Sequence, residues 1–417
     1  MLSFVVLLSQ WIVMPVDTVG VTVRYPSLAI DSLDRAHIAY EDEGDTVKHA
    51  YWNGLAWVTE PVVYGGSFAY TSIDFDPIGR PHIAHNHGGS GPWHSFWNGS
   101  LWQTDTLFQS GTYPLSMVLN SQGYPYITYL GIGGGLRITF WNGSAWIIGT
   151  VDTCQWAGYG CSIAMDKDDR PHISYQIIFG GPIMHAYLNG SLWVLDTVYP
   201  NGGGNQGATS IAIDSQDRPH IAFIHSAPDY DLLYAFWDGS AWIIDTVDTL
   251  GEDLCSIALD FQDRPHIAYS APYSEAGNHY PIRYAFWDGL SWVIETIDSI
   301  GPNTDLYHTD RILRLDSKNC PRVTYWKMDN NWLYYAHRGC EPTGMMEPSP
   351  IVPSLICSPV PGGALFLTSE ATDIRIYSAD GRLVHSGHLE RGENRINLEQ
   401  GVYLWRAEEY KGKVAIR

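Results

Sequence analysis

Apolar and polar residues alternate along short runs of this chain, and the runs return in the same order. In SIAIDSQDRPHIAF (210–223), two alternating stretches around Ile211 and Ile221 flank the polar run 214–218. Period-two alternation puts apolar side chains on one face of a strand, and Asp, Gly, Asn or Pro between the runs marks the turns. The pattern recurs as SIALDFQDRPHIAY (256–269), SIAMDKDDRPHISY (162–175) and SLAIDSLDRAHIAY (27–40). Weaker copies are SIDFDPIGRPHIAH (72–85), SMVLNSQGYPYITY (116–129) and ILRLDSKNCPRVTY (312–325). The first strand of each ends at Asp31, Asp76, Asn120, Asp166, Asp214, Asp260 and Asp316, at intervals of 45, 44, 46, 48, 46 and 56 residues.

A second block follows, as in YAFWDGSAWIIDTVDT (234–249), YAFWDGLSWVIETIDS (284–299), ITFWNGSAWIIGTVDT (138–153) and HAYWNGLAWVTEPVV (49–63). Its fourth copy, HAYLNGSLWVLDTV (185–198), has Leu188 where the others have Trp. Asn-Gly or Asp-Gly between alternating runs signals a hairpin, because both residues tolerate positive φ. Each period therefore predicts four strands, A to D. Seven such periods predict an all-β fold, a seven-bladed β-propeller over residues 10–339: one blade cannot bury both its faces, and a closed ring covers them and protects the sheet edges. The seventh copy has strands A to C between Ile312 and Ala336 but no D block after them. Trp11-Ile-Val-Met-Pro-Val16-Asp17-Thr18 has the spacing of Trp242 to Thr249, so residues 10–18 are expected to supply that outer strand. Residues 1–9 read as the remnant of a leader, apolar but without a basic start.

Composition narrows the function. The 417 residues carry 24 Lys+Arg against 45 Asp+Glu, a net charge of −21, which argues against a nucleic-acid partner. At 45% hydrophobic and 13% aromatic, the chain has too much apolar mass to be disordered. No run reaches the roughly 18–20 apolar residues of a bilayer span. The ring is expected as a monomer, with no cofactor and no metal.

After Gly339 the composition shifts. CEPTGMMEPSPIVPS (340–354) is Pro-rich, so 340–357 reads as a linker. Beyond it, GALFLTS (363–369), DIRIYS (373–378), GRLVHSGHL (381–389), NRINL (394–398), GVYLWRAEE (401–409) and KVAIR (413–417) predict a small β-sandwich over 358–417. Three of its segments, DIRIYSADGRLV (373–384), NLEQGVYLWRAE (397–408) and KGKVAIR (411–417), occur in the order of the C-terminal sorting domain of the bacterial type IX secretion system, which this region resembles. The family's opening Pro-Asn-Pro step is missing: Pro359-Val360-Pro361 lacks the Asn. The resemblance implies the type IX machinery as a partner and a destination outside, or on the outer-membrane surface of, a Gram-negative bacterium. Cysteine usage fits an oxidising destination: Cys154 with Cys161, and Cys320 with Cys340, are candidate disulfides, while Cys255 and Cys357 have no evident partner.

Several motifs suggest chemistry. Asp-x-x-Asp in the A–B turn looks like a calcium loop, but its fourth position runs Asp34, Gly79, Gly123, Asp169, Asp217, Asp263 and Asn319. What these residues share is tolerance of left-handed backbone, so a turn is expected. His37, His82, His172, His220 and His266 hold one position in five blades, which predicts hydrogen bonding rather than a single catalytic centre. Asn98, Asn142 and Asn189 match a glycosylation sequon but sit at hairpin turns. Trp-Asn/Asp-Gly-x-x-Trp falls one residue short of the sialidase Asp-box, and Arg24, Arg137, Arg283, Arg311 and Arg314 lie outside the repeat turns, where three could hold a carboxylate.

The B–C and D–A connections vary, and variable loops on a rigid scaffold usually carry binding. The strand-end ring Asp42, His87, Gly131, Ile177, His225, Ala271 and Lys327 is too mixed to serve uniform packing, and His85 with His87 could join a metal site for which no third ligand is evident. Loop aromatics, among them Trp156, Tyr230 and Tyr280, offer faces for sugar rings. The expected function is a secreted or surface-displayed, non-catalytic binding propeller for glycan or protein, broadly resembling bacterial propeller lectins. Its ligand-binding residues are expected among Asp42, His85, His87, His225, Lys327, Trp156, Tyr230 and Tyr280. The alternatives are a secreted sialidase-like glycoside hydrolase and a structural surface or adhesion protein.

Overall fold

The computed structural model describes the chain except at residues 1–10, 19–22, 43–44, 66–69, 88–89, 108–110, 203–207, 226–229, 252–253, 272–279, 301–310, 328–329, 340–354, 361–362, 369–371, 379–381, 390–391, 400, 408–409 and 417. Among the described residues there is no helix, and so none long and apolar enough to cross a membrane. The chain divides into two compact units.

The first unit is the seven-bladed propeller. Each blade is a four-stranded antiparallel sheet with its strands in sequence order, as in the first: Arg24–Ile30, Ala36–Asp42, Thr46–Trp52 and Trp57–Tyr64. The fifth consists of Thr209–Ile213, Pro219–His225, Asp231–Trp237 and Trp242–Asp248. Only the seventh departs from this order. Its strands Leu313–Leu315, Pro321–Lys327 and Trp332–His337 are completed by Ile12–Asp17, which pairs antiparallel with the third, Val13 opposite Ala336 and Met14 opposite Tyr335. The N-terminal segment is thus the outer strand of the last blade. It also grips both neighbouring blades: Trp11 Nε1 donates to Glu295 of blade six (3.1 Å), and Asp17 Oδ2 accepts from Tyr40 of blade one (2.7 Å).

Packing between blades follows from the alternation. Ile211, Ile221 and Ala235 of blade five face Ile183 and Val198 of blade four, while Ala222, Ile224 and Tyr234 pack with Ile257, Ile267 and Tyr269 of blade six. Consecutive positions of one strand therefore serve opposite junctions, and both faces of each blade are buried. Polar side chains then register the blades. On the inner strands a repeated Ser accepts from the backbone N–H of the next blade: Ser72 from Met117 (3.0 Å), Ser116 from Ile163 (3.2 Å), Ser210 from Ile257 (3.1 Å) and Ser256 from Leu313 (3.1 Å). Near the opposite end, the Tyr closing strand B donates to the Asp closing strand D of the preceding blade, in Tyr40–Asp17 and Tyr175–Asp152 (both 2.7 Å) and in Tyr269–Asp248 and Tyr325–Asp298 (both 2.5 Å).

The A–B turn is a capping device. Asp34, Asp169, Asp217, Asp263 and Asn319 have φ between 58° and 63°, and Gly79 and Gly123 have 81° and 77°. The C–D turn spans four residues, Asp238 to Ala241, between the paired Trp237 and Trp242, and Gly239 takes φ 103°.

The C-terminal unit has two antiparallel sheets. One contains Leu355–Val360, Gly363–Thr368 and Gly392–Asn397; the other contains Leu383–Leu389, Thr372–Ser378, Gly401–Ala407 and Tyr410–Ile416. In the second, Ile374 and Ile376 are buried between exposed Asp373 and Arg375. The strand Leu355–Val360 begins inside the stretch expected as linker, because its Leu-Ile pair alternates despite the surrounding prolines.

One side-chain expectation changes. Cys154 and Cys161 are thiols rather than a disulfide. Cys154 is exposed in a turn closed by Ala157 N to Cys154 O (3.1 Å), and Cys161 is buried in a strand among Ile163, Ile173 and Ala157. Cys320 is buried, with Sγ 3.9 Å from Lys318 O, and its expected partner Cys340 lies outside the described residues.

Candidate functional site

On the face where the A–B and C–D turns emerge, several blade junctions repeat one set of side chains. The set starts at the Asp ending strand A. Asp166, its side chain fully buried, accepts from the backbone N–H groups of Asp168 (2.9 Å) and Arg170 (2.8 Å) and from Arg170 Nε (2.5 Å). Burial pushes this carboxyl up, but its hydrogen bonds from Arg170 and Asp168 outweigh that and hold it ionised. Behind it His172 Nε2 lies 3.5 Å from Asp166 Oδ2, and His172 Nδ1 meets His185 Nε2 at 3.0 Å. Burial, reinforced by His185, holds His172 down at about 4, so the pair is neutral at neutral pH. His185 Nδ1 then faces Asp196 on the outer strand at 3.7 Å.

The next blade supplies the opposite wall. Between blades four and five a cavity of 220 Å³ is lined by Arg170, His185, Tyr187 and Asp196 on one side and by Asp217, Trp237 and Trp242 on the other. Between blades five and six the counterpart is 470 Å³, lined by Arg218, Phe236 and Asp245 against Asp263, Trp287 and Trp292. The two Trp of each wall meet edge to face, with centroids 5.6 Å and 5.7 Å apart. Neighbouring turns are tied together beside the cavities, as where Asp263 accepts from Ser215 N (2.9 Å) and Oγ (2.5 Å).

The 220 Å³ cavity contains two buried polar atoms, Trp242 Nε1 and His185 Nδ1, with no hydrogen-bond partner. The first junction shows why. There Glu60, one methylene longer than Asp196, reaches both His49 Nδ1 and Trp102 Nε1 at 3.0 Å. The shorter Asp196 does not span the same gap. A wall of indole rings, an arginine already neutralised by Asp166, neutral imidazoles and a carboxylate suits a ligand with an apolar face and a hydroxylated rim.

The residues expected to form the site are spread over several blades. Asp42 is buried and pairs with Lys48 (2.9 Å); Lys327 pairs with Asp298 (2.7 Å) and lies over the Tyr334 ring. Lys327 thus ties blade seven to blade six, while Asp42 holds Lys48 within blade one, where Lys48 also reaches Asp17 of blade seven (3.4 Å). His85 is fully buried and hydrogen-bonded to Ser95 Oγ (2.9 Å), and His225 packs edge-on against Tyr199. Trp156 and Tyr230 are exposed at 43% and 41% in separate loops, Trp156 against Phe179. The side chains of His87 and Tyr280 lie outside the described residues. Of the off-repeat arginines, Arg283 pairs with Asp248 (2.8 Å), whereas Arg311, which reaches Ile163 O of blade four (2.9 Å), and Arg314, which donates to Leu313 O (2.8 Å), come together in a 320 Å³ cavity lined by the inner strands of blades three to six. Among the described residues no three His, Cys, Asp or Glu side chains are grouped to hold a metal. The signal missed in the sequence was the repeat itself: Arg, Trp and the outer-strand acid recur in register, and a property shared by all blades looked purely structural.

No family model and no curated protein matches the chain. Solved structures do. An ulvan lyase of polysaccharide lyase family PL25 superposes with a TM-score of 0.54 at 13% identity, over 77% of this chain and 95% of that one. A triple arginine mutant of AofleA from Arthrobotrys oligospora gives 0.50 at 12% identity, over 70% and 91%. The Aleuria aurantia lectin, in complex with a fucosylated disaccharide, gives 0.48 at 13% over 70% and 99%. At these identities the likeness shows the fold alone, and a fold does not by itself fix an activity.

Proposed function

We propose that this chain is a glycan-binding propeller whose sugar pockets lie at the blade junctions on the regular turn face. The observation that supports this reading is the recurrence of one cavity, with two Trp from one blade facing an Arg and a carboxylate of its neighbour, at successive junctions. An indole face takes the C–H face of a pyranose, while Arg donates to ring hydroxyls and the carboxylate accepts from them. A catalytic centre needs one converging constellation; repeated equivalent pockets serve multivalent binding, in which linked weak sites add avidity. The export reading stands beside it: residues 358–417, by their resemblance to a type IX sorting domain, direct the propeller to the exterior or surface of a Gram-negative cell.

The experiment is a glycan array probed with the full chain. Binding to neutral glycans is expected, and Trp237→Ala with Trp287→Ala should weaken it at least tenfold. Asp42→Ala and Lys327→Ala should lower the melting temperature and leave affinity unchanged. Full affinity in the double Trp variant would remove the junction pockets as the site.

A further inference from the structure

The seven junctions are not equivalent. The outer-strand acid is Glu60, Asp105, Asp196 and Asp245 at four of them, whereas Gly149 and Met14 take its place at two others. At the remaining junction, between blades six and seven, the acid is Glu295, but strand register puts Arg338 where blade five has Trp237: Arg322 pairs with His337 as His220 pairs with Phe236. Arg338 lies over the Phe286 ring, 5.4 Å from its centroid, and donates to both Glu295 oxygens at 2.6 Å. Glu295, the acid of this junction, is thus held by the chain itself, by Arg338 and by Trp11 Nε1 (3.1 Å). Glu295 is accordingly only 17% exposed, against 33% for Glu60, 49% for Asp105 and 40% for Asp196.

We infer that Arg338 mimics the ligand and that the propeller binds four sugars, with a fifth pocket held shut by this residue. The inference rests on the glycan reading and deepens it. A guanidinium over a ring, with its Nη1 donating to both oxygens of one carboxylate, stands where a pyranose stacked on that ring would donate a hydroxyl to the acid. The outer-strand carboxylates are therefore the hydroxyl acceptors of the open pockets. A carboxylated or sulfated sugar is disfavoured beside the acid.

The test is isothermal titration of the full chain with the methyl glycosides of fucose, galactose, mannose and glucose, and with the deoxy analogue of the tightest binder that lacks the hydroxyl whose removal weakens binding most. The wild type should bind four equivalents and the deoxy analogue at least tenfold more weakly. Asp245→Asn should bind three, and Arg338→Trp, which installs the residue found at the open junctions, should bind five. Arg338→Ala guards against a Trp variant that packs poorly, and should also bind five. No binding of any glycoside by the wild type would overturn the glycan reading and this inference together. Binding in which both Arg338 variants, with wild-type near-ultraviolet dichroism, keep the wild-type stoichiometry would overturn only the self-occupied pocket.

Discussion

At the residue scale, the repeat concentrates polar groups where a β-protein usually has none. His37 is packed against Asp31, Arg35 and His49, with Glu60 and Trp102 behind His49. In a His–His contact one ring donates and the other accepts, so a second proton would set N–H against N–H. Burial, together with the partner His49 or His94, holds His37 and His82 down at about 3; burial holds His266 at about 4, where it lies 3.7 Å from Asp260. Unfolded, each returns to about 6.5. Between these values the unfolded chain binds more protons, so stability is complete above pH 6.5 and falls as pH drops toward 4, by up to about 1.4 kcal/mol per pH unit for each group. Denaturant titrations at pH 7.5, 6 and 5 should show a falling midpoint; a flat profile would mean the imidazoles are hydrated. The turn Asp residues add a second loss below their own range. Asp214→Ala removes the acceptor for Gln216 N and Arg218 N (both 2.8 Å) and leaves Arg218 unpaired, at an expected cost of about 3 kcal/mol in urea unfolding.

At the element scale, the outer strand of blade seven matters most. Ile12–Asp17 adds its ladder to Trp332–His337, buries Val16 and, through Trp11 and Asp17, reaches blades six and one. A ring closed by non-local pairing loses every contact at that seam when the strand goes, and blade seven is left with an open edge. Deleting residues 1–17 should lower the melting temperature by more than 10 °C and promote aggregation, and Trp11→Ala alone should cost about 3 kcal/mol. Calorimetry on both variants measures this, and an unaltered transition would exclude a closing role. This strand was legible because Trp11 to Asp17 keeps the spacing of a D block. The strand Leu355–Val360 was not, because prolines on either side hide a short alternation.

At the scale of the whole molecule, a rigid ring with acidic character presents its pockets on one face and variable loops on the other. Fusing residues 358–417 to a reporter should carry it outside a host with type IX machinery; a reporter that stays in the periplasm despite a working leader would refute the export reading. Blade number, turn chemistry and the closing strand could all be read from the chain: the turns are set within each period, the periods can be counted, and Trp11 to Asp17 keeps the spacing of the D block that the seventh period lacks, although its partner strand lies at the far end of the ring. The location of the pockets could not. Arg170 and Trp237 belong to different blades and meet only when two sheets pack, so no local pattern announces their contact. Asp42 and Lys327 looked like ligand contacts in the sequence; the partners that the fold gives them, Lys48 within blade one and Asp298 across a junction, are equally invisible there. The amino-acid order by itself determined the sheets, since alternation and turn residues act over a few positions. Only tertiary structure decided which faces meet, what space they leave and that Arg338 meets Glu295 across one of them, because a cavity belongs to two surfaces brought together and to neither alone.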